Sequence, residues 1–223
     1  MLLCLDTSHG ASVALLHQYT RLGAAANDDP RQHTEALTPM IKDVVEGAGA
    51  TMADLTGIAV GTGPAPFTGL RVGLVTARTL ALALAIPVYG VCALAAVARG
   101  VFDDEDVDEA VIVTDARRKE VYWARYARAG EHDVTEISPP AVARPGTLAG
   151  EIRGETIRGR GVALYPEHLD GEPAELDPAA LGRIALARRA RAEREDRPVE
   201  LPTEPLYLRR PDIHHSAGRK RAS

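Results

Sequence analysis

Apolar and polar positions along this chain fall into blocks whose period switches between two and three to four residues, as expected of strands alternating with helices. Residues 2–5 and 11–16 are short apolar runs flanking the polar turn Asp6-Thr7-Ser8-His9-Gly10. They predict a hairpin with an aspartate at its bend. A third strand is expected over 20–26. Over 33–48 the period changes: Leu37, Ile41, Val44, Val45 and Ala48 share one helical face, with Thr34 as cap and Pro39 early enough to be tolerated or to kink the helix. Residues 57–60, Gly-Ile-Ala-Val, read as a buried strand.

Next comes the loop Gly61-Thr62-Gly63-Pro64-Ala65-Pro66-Phe67-Thr68-Gly69 and an uninterrupted helical pattern to residue 84. Strand, glycine loop and helix in that order is a nucleotide-site layout. A P-loop ends in Gly-Lys-Ser/Thr, whose lysine neutralises phosphate, whereas this loop ends Gly69-Leu70-Arg71. A dinucleotide loop needs Gly-x-Gly-x-x-Gly, and Pro66 stands in the third glycine's place. Pro64 and Pro66 also remove two N–H donors that an anion nest would use. The loop therefore reads as a rigid turn that positions a packing helix, with Thr68 as its N-cap.

That helix places Leu70, Gly73, Leu74, Ala77, Leu80, Ala81 and Leu84 on one face. The opposite face carries Arg71, Val75, Arg78, Leu82 and Ala85, so it is not properly polar. One face is expected on the helix's own sheet, the other on a neighbouring helix or another subunit.

A strand is expected over 88–91 and a helix over 93–99, followed by an acidic run, 103–109, that reads as a solvated connector. The opening pattern then repeats. A strand over 110–114, the turn Asp115-Ala116-Arg117-Arg118 and a strand over 120–126 match the first hairpin, with each second strand starting five positions after its aspartate. This predicts an internally duplicated α/β protein. Beyond 128, proline-rich pieces break the chain into short elements, apart from a helix capped by Asp177, with Pro178 first, that runs to about 194. Its arginines alternate with acids and read as a solvated face rather than an RNA contact. The expected organisation is a first lobe over 1–102, a connector over 103–109, a smaller second lobe over 110–210 and a disordered tail over 211–223.

Composition narrows the partners. The 223 residues are 45% hydrophobic but only 4% aromatic, so the core must be aliphatic. A formal net charge of -5 gives no global drive toward nucleic acid or anionic membrane; any RNA contact would be local or lent by a partner. Cys4 and Cys92 lie in apolar surroundings without Cys-x-x-Cys spacing, which suits buried thiols in a reducing compartment. The apolar start ends at Asp6, short of a signal peptide, and the apolar tract 79–98 is cut by Pro87 and Gly90. A cytoplasmic protein without a membrane span is expected.

No two of the seven histidines are three or four residues apart, which excludes a helical zinc pair, and no Gly-x-Ser-x-Gly elbow is present. Asp6 and Asp115, at strand ends beside Thr7, Ser8 and Arg117, are the best acidic candidates for a metal-nucleotide site. They read equally well as turn residues satisfying their own backbone.

Taken together, Leu5-Asp6-Thr7-Ser8 with Ala11-Ser12-Val13-Ala14-Leu15, His33 with Glu35 and Leu37-Thr38-Pro39-Met40-Ile41, the loop and helix from Gly61 to Leu84, Asp115-Ala116-Arg117 with Glu120-Val121-Tyr122, and Pro205-Leu206-Tyr207-Leu208-Arg209 resemble the TsaB (YeaZ) family. These relatives of the actin, sugar-kinase and Hsp70 superfamily imply two actin-like (ribonuclease H-like) lobes, the second reduced. The resemblance further implies a non-catalytic partner of TsaD, the subunit that transfers threonylcarbamoyl to an adenosine of tRNA, with the ATPase TsaE as a third component and a homodimer when alone. Contact with tRNA would be indirect, through the complex. No cofactor or metal is expected: where the catalytic relative would place His-x-x-x-His, this chain has Ala93 and Val97. The loop departs from the family's usual Gly-Pro-Gly-Ser-Phe-Thr-Gly, reading Gly63-Pro64-Ala65-Pro66-Phe67-Thr68-Gly69. The implied association uses the first two helices, which places the partner face at Met40, Val44, Arg71, Val75, Arg78 and Leu82. Asp6, Thr7, Ser8, Asp115 and Arg117 form the candidate lobe-junction site. Two other classes stand beside this one: an ATP-dependent small-molecule kinase of the same fold, disfavoured by the short second lobe, and a peptidase, disfavoured by the missing metal and nucleophile geometry.

Overall fold

The computed structural model describes residues 1–27 and 33–209. The first half runs β1 (Leu2–Asp6), β2 (Ala11–His17), β3 (Thr20–Asn27), α1 (His33–Gly47), β4 (Gly57–Gly61), α2 (Phe67–Leu84), β5 (Val88–Val91) and α3 (Ala93–Asp104). The second runs β6 (Glu109–Asp115), β7 (Val121–Ala129), β8 (Asp133–Ala143), α4 (Pro145–Glu151), β9 (Ile157–Arg158), α5 (Arg160–Leu164) and α6 (Pro178–Arg194). The side chain of Thr34, the expected cap of α1, and the expected tail 211–223 lie outside the described residues.

The strands form two sheets of one plan. The first has the order β3-β2-β1-β4-β5, antiparallel across β3, β2 and β1 and parallel across β1, β4 and β5. The second, β8-β7-β6-β9, repeats that order with one strand fewer and with β9 parallel to β6. This is the pair of actin-like lobes, the second reduced. The duplication legible in the two aspartate turns thus extends to whole sheets.

β1 is apolar at every position but the last because both its faces are covered. Leu3 and Leu5 point into a core built with α1 and α2, together with Val13, Leu15, Ile58, Val60 and Leu70. Leu2 and Cys4 point into another, shared with α3, α6 and the second sheet through Ile112, Tyr122, Ala124 and Tyr126. α3 and α6 therefore fill the space between the sheets, while α4 and α5 close the far side of the second sheet around Val111, Val113 and Trp123. With burial on all sides, the Cys4 thiol is pushed well above its ordinary range.

Four expectations change. α2 starts at Phe67 with Pro66 before it, so Thr68 sits exposed in the first turn and is not the N-cap. α3 continues through Asp103 and Asp104, which shortens the connector. Its charges are not simply solvated: Asp103 pairs with Arg99 and Arg183, and Glu105 accepts from the Arg158 guanidinium at 2.7 and 2.8 Å. The α6 arginines are likewise used internally, Arg188 donating to Asp133 at 2.9 Å and Arg191 lying 3.6 Å from it. β8 runs through Ser138-Pro139-Pro140, where a break in the chain is expected; the edge position tolerates prolines without ladder donors.

The second lobe also does not keep its chain to itself. Past α6, residues 201–209 return across the first lobe as an extended strap. The Gly90 N–H donates to Leu201 O at 3.0 Å, and the Leu206 N–H donates to Thr62 O at 2.8 Å. A Cβ on Gly90 would overlap the Pro202 carbonyl, so this crossing requires glycine.

Candidate functional site: a helix face and a lobe junction

The loop before α2 is occupied by the fold. Gly63, Pro64 and Ala65 are buried, the Gly63 carbonyl accepts from the Ala93 N–H at 2.7 Å, and the Thr62 N–H donates to Val91 O at 2.9 Å. It joins β4, β5, α2 and α3 in the manner of a lead-in turn.

The helix it launches buries Leu70, Gly73, Leu74, Ala77 and Ala81 against the sheet. On its other side Val75 and Leu82 are 61% and 83% exposed. Arg71 and Arg78 flank them at helical spacing, but the strap takes both guanidinium groups. Arg71 lies 3.6 Å over the Phe67 ring and donates to Tyr207 Oη at 3.0 Å. Arg78 donates to Thr203 Oγ1 and Thr203 O at 2.9 and 2.7 Å. The outward face is thus an apolar pair flanked by two exposed but engaged arginines. Beside it, α1 and α2 leave a groove of about 450 Å³ lined by Ile41, Val45, Met52 and Leu80. Met40 is half-buried against the core, and Val44 is buried inside it. Val44 therefore leaves the partner face, because it lies on the side of α1 that the sheet covers.

At the lobe junction the first turn is locked inward. Asp6 is 3% exposed; its Oδ1 accepts from the Ser8 N–H at 2.8 Å and its Oδ2 from the Ser8 hydroxyl at 2.9 Å. Burial pushes its carboxyl up to about 6 against the pull of those bonds. Gly61 makes room for it, since a Cβ there would overlap Oδ2. Thr7 enters α2: its hydroxyl donates to Gly69 O at 2.9 Å and accepts from the Gly73 N–H at 3.1 Å, standing between two groups one helical turn apart. Thr7 and Ser8 thus serve the fold, both hydroxyl protons being taken by internal acceptors.

Asp115 behaves otherwise. Its Oδ1 accepts from the Arg117 N–H at 2.7 Å in an open turn, and Arg117 is exposed. The structure does not join Asp115 and Arg117 to the Asp6 carboxylate through any hydrogen bond. A cleft of about 270 Å³ does lie beside the first turn, lined by Asp6, His9, Ser12, Val97, Thr114 and Arg160. His9 and Thr114, which sequence reasoning did not single out, each present a buried polar atom without a hydrogen-bond partner. Burial, with the Arg160 charge adding, holds His9 down at about 4 and hence neutral. Ala93 and Val97, in place of the expected histidines, are core residues between the sheets.

A family model described as "TsaD: tRNA N6-adenosine threonylcarbamoyltransferase" matches residues 17–163. The chain is 34% identical to the tRNA threonylcarbamoyladenosine biosynthesis protein TsaB of Escherichia coli, over 93% of this chain and 94% of that one. It is 38% identical to an uncharacterized protein of Mycobacterium tuberculosis, over 94% and 92%. Among solved structures it is similar to YeaZ from Pseudomonas aeruginosa, at 31% identity and a TM-score of 0.78, covering 93% of this chain and 99% of that one. With the duplicated sheets, the loop and helix and both aspartate turns in place, the chain belongs to the TsaB (YeaZ) family.

Proposed function

We propose that this protein acts in tRNA threonylcarbamoyladenosine biosynthesis as the non-catalytic partner of a TsaD-type subunit, which it binds through α2 and the adjoining groove with α1. The observation that carries the reading is the outward pair Val75 and Leu82, large aliphatic side chains left in water on a helix whose arginines are already engaged. Folding does not require them there, whereas burying them in an interface recovers about 1.5–3 kcal/mol each. Ala93 and Val97 support a non-catalytic role, because neither can ligate a metal at the positions where the family resemblance puts the catalytic relative's histidines. The same face would serve a homodimer when the TsaD-type subunit is scarce.

Val75→Asp with Leu82→Asp is expected to abolish copurification with the TsaD-type subunit while leaving the unfolding midpoint of the isolated chain within a few degrees of wild type. Retained copurification rejects the interface. Depleting the protein and quantifying tRNA nucleosides by mass spectrometry tests the pathway: threonylcarbamoyladenosine at its normal level rejects it.

A further inference from the structure

The turn between β6 and β7 carries three consecutive residues in the left-handed region, Arg117, Arg118 and Lys119, at φ 62, 54 and 60. Glycine or asparagine would hold that backbone at less cost, since other L residues lose roughly 1–2 kcal/mol there. The turn is nevertheless well fixed. The Ala116 N–H donates to Glu120 O at 3.0 Å, the Glu120 N–H to Arg117 O at 3.1 Å, and Asp115 accepts from the Arg117 N–H. A rigid, strained turn that displays three exposed cations on a chain of net charge -5 points to a contact rather than to packing.

The strap brings aromatic rings to the same place. Phe67 and Tyr207 are stacked with centroids 5.0 Å apart, Arg71 covers Phe67, and Tyr207 remains 37% exposed. Arg209 anchors the strap by donating to Ala116 O at 2.8 Å and pairing with Glu120. Between the rings and the turn lies a cleft of about 280 Å³, lined by Phe67, Arg117, Arg118, Tyr122, Tyr207 and Arg209. Three cations line it, Arg117 lying 3.6 Å from the Asp115 carboxylate and Arg209 paired with Glu120, and Lys119 is exposed next to them in sequence.

We infer that this corner binds RNA, the Arg117–Lys119 turn holding backbone phosphates while the outer face of Tyr207 takes a stacked base. Cations paired with an open aromatic face fit a nucleotide chain, which supplies both phosphate and π surface. An acidic protein segment would use the cations and leave the rings idle. The choice of tRNA as the RNA rests on the function proposed above; the corner itself does not.

The test is fluorescence-anisotropy titration of the full chain with an unmodified tRNA transcript and with a short single-stranded RNA, from about 50 to 200 mM salt. Arg117→Asn/Arg118→Asn/Lys119→Gly relieves the left-handed backbone, so its unfolding midpoint should not fall. It is expected to lose tenfold or more in affinity at low salt, with a salt slope shallower by about 2. Tyr207→Leu should weaken binding at an unchanged slope. No binding by the wild-type chain at low salt overturns the inference, as does a triple variant with wild-type affinity and slope. If the triple variant instead loses copurification with the TsaD-type subunit and keeps its RNA affinity, the corner is a protein contact and the inference is wrong. Failure here with copurification and threonylcarbamoyladenosine intact leaves the proposed function standing.

Discussion

The two aspartate turns occupy equivalent places in equivalent sheets, and they have opposite fates. The Asp6 turn is buried, its carboxylate bonded twice to Ser8 and its threonine threaded between Gly69 and Gly73 of α2. The Asp115 turn bonds its own backbone and presents Arg117, Arg118 and Lys119 outward. The difference comes from what lies opposite. β1 has β4 and the glycine loop at its end, so the first turn is enclosed; on its side away from β7, β6 has only the short β9, and Arg117, Arg118 and Lys119 stay exposed. A duplicated motif therefore need not keep a duplicated role: one copy holds the first lobe together, and the other sets three cations at the surface.

The contrast should break most sharply at Gly61. Gly61→Ala pushes a methyl into Asp6 Oδ2 and is expected to cost about 3 kcal/mol or more in urea denaturation, as overpacking at a site that cannot give. A loss below about 1 kcal/mol would mean that the first turn is not locked.

Asp6→Asn sharpens the comparison next. The folded-state carboxyl titrates at about 6 against an ordinary 3.8, so between those values the folded protein binds the proton more tightly. Its contribution to stability is therefore largest at acid pH and falls as pH rises through 6. The asparagine variant should gain stability relative to wild type as pH climbs from 4 to 8, by roughly 2–3 kcal/mol at most, and match it near pH 3.5. His9 works in the other direction, because its lowered value favours the neutral ring as pH rises from about 4. Removing Asp6 alone should thus expose an upward slope of stability with pH that the wild type partly cancels. A flat difference between the two proteins across pH 4–8, followed by thermal unfolding, rules the account out.

The smallest effect belongs to the second turn. Lys119→Gly meets a left-handed backbone in an exposed position and should raise stability by about 0.5–1 kcal/mol. A loss there would show that the lysine side chain makes a contact the fold depends on.

Much of the architecture was legible because it is written in local pattern. The runs at 2–5 and 11–16, the helical face from Leu70 to Leu84 and the Asp177-Pro178 start of α6 each have a period or a cap that admits one reading, and Asp177 does accept from the Ala179 N–H at 2.9 Å. β8 escaped because its prolines look like breakers until its edge position is known. Val44 was misplaced because spacing fixes which residues share a face of α1 without fixing which face the sheet covers. The strap escaped most completely. An extended proline-rich segment has no periodicity to betray its partners, so nothing local in Thr203 or Tyr207 announces Arg78 and Arg71 across the molecule. The buried edges of His9 and Thr114 were invisible for the same reason, since burial between lobes depends on contacts far apart in sequence.

Translation order gives the strap a further weight. Thr203 is 125 residues beyond the Arg78 that it holds, so it emerges from the ribosome after every strand of both sheets. Until then β5 is an edge strand whose Gly90 N–H has no acceptor from Leu201. An open strand edge is a template for pairing with another chain. The strap thus closes the β5 edge only after its own late residues have been made.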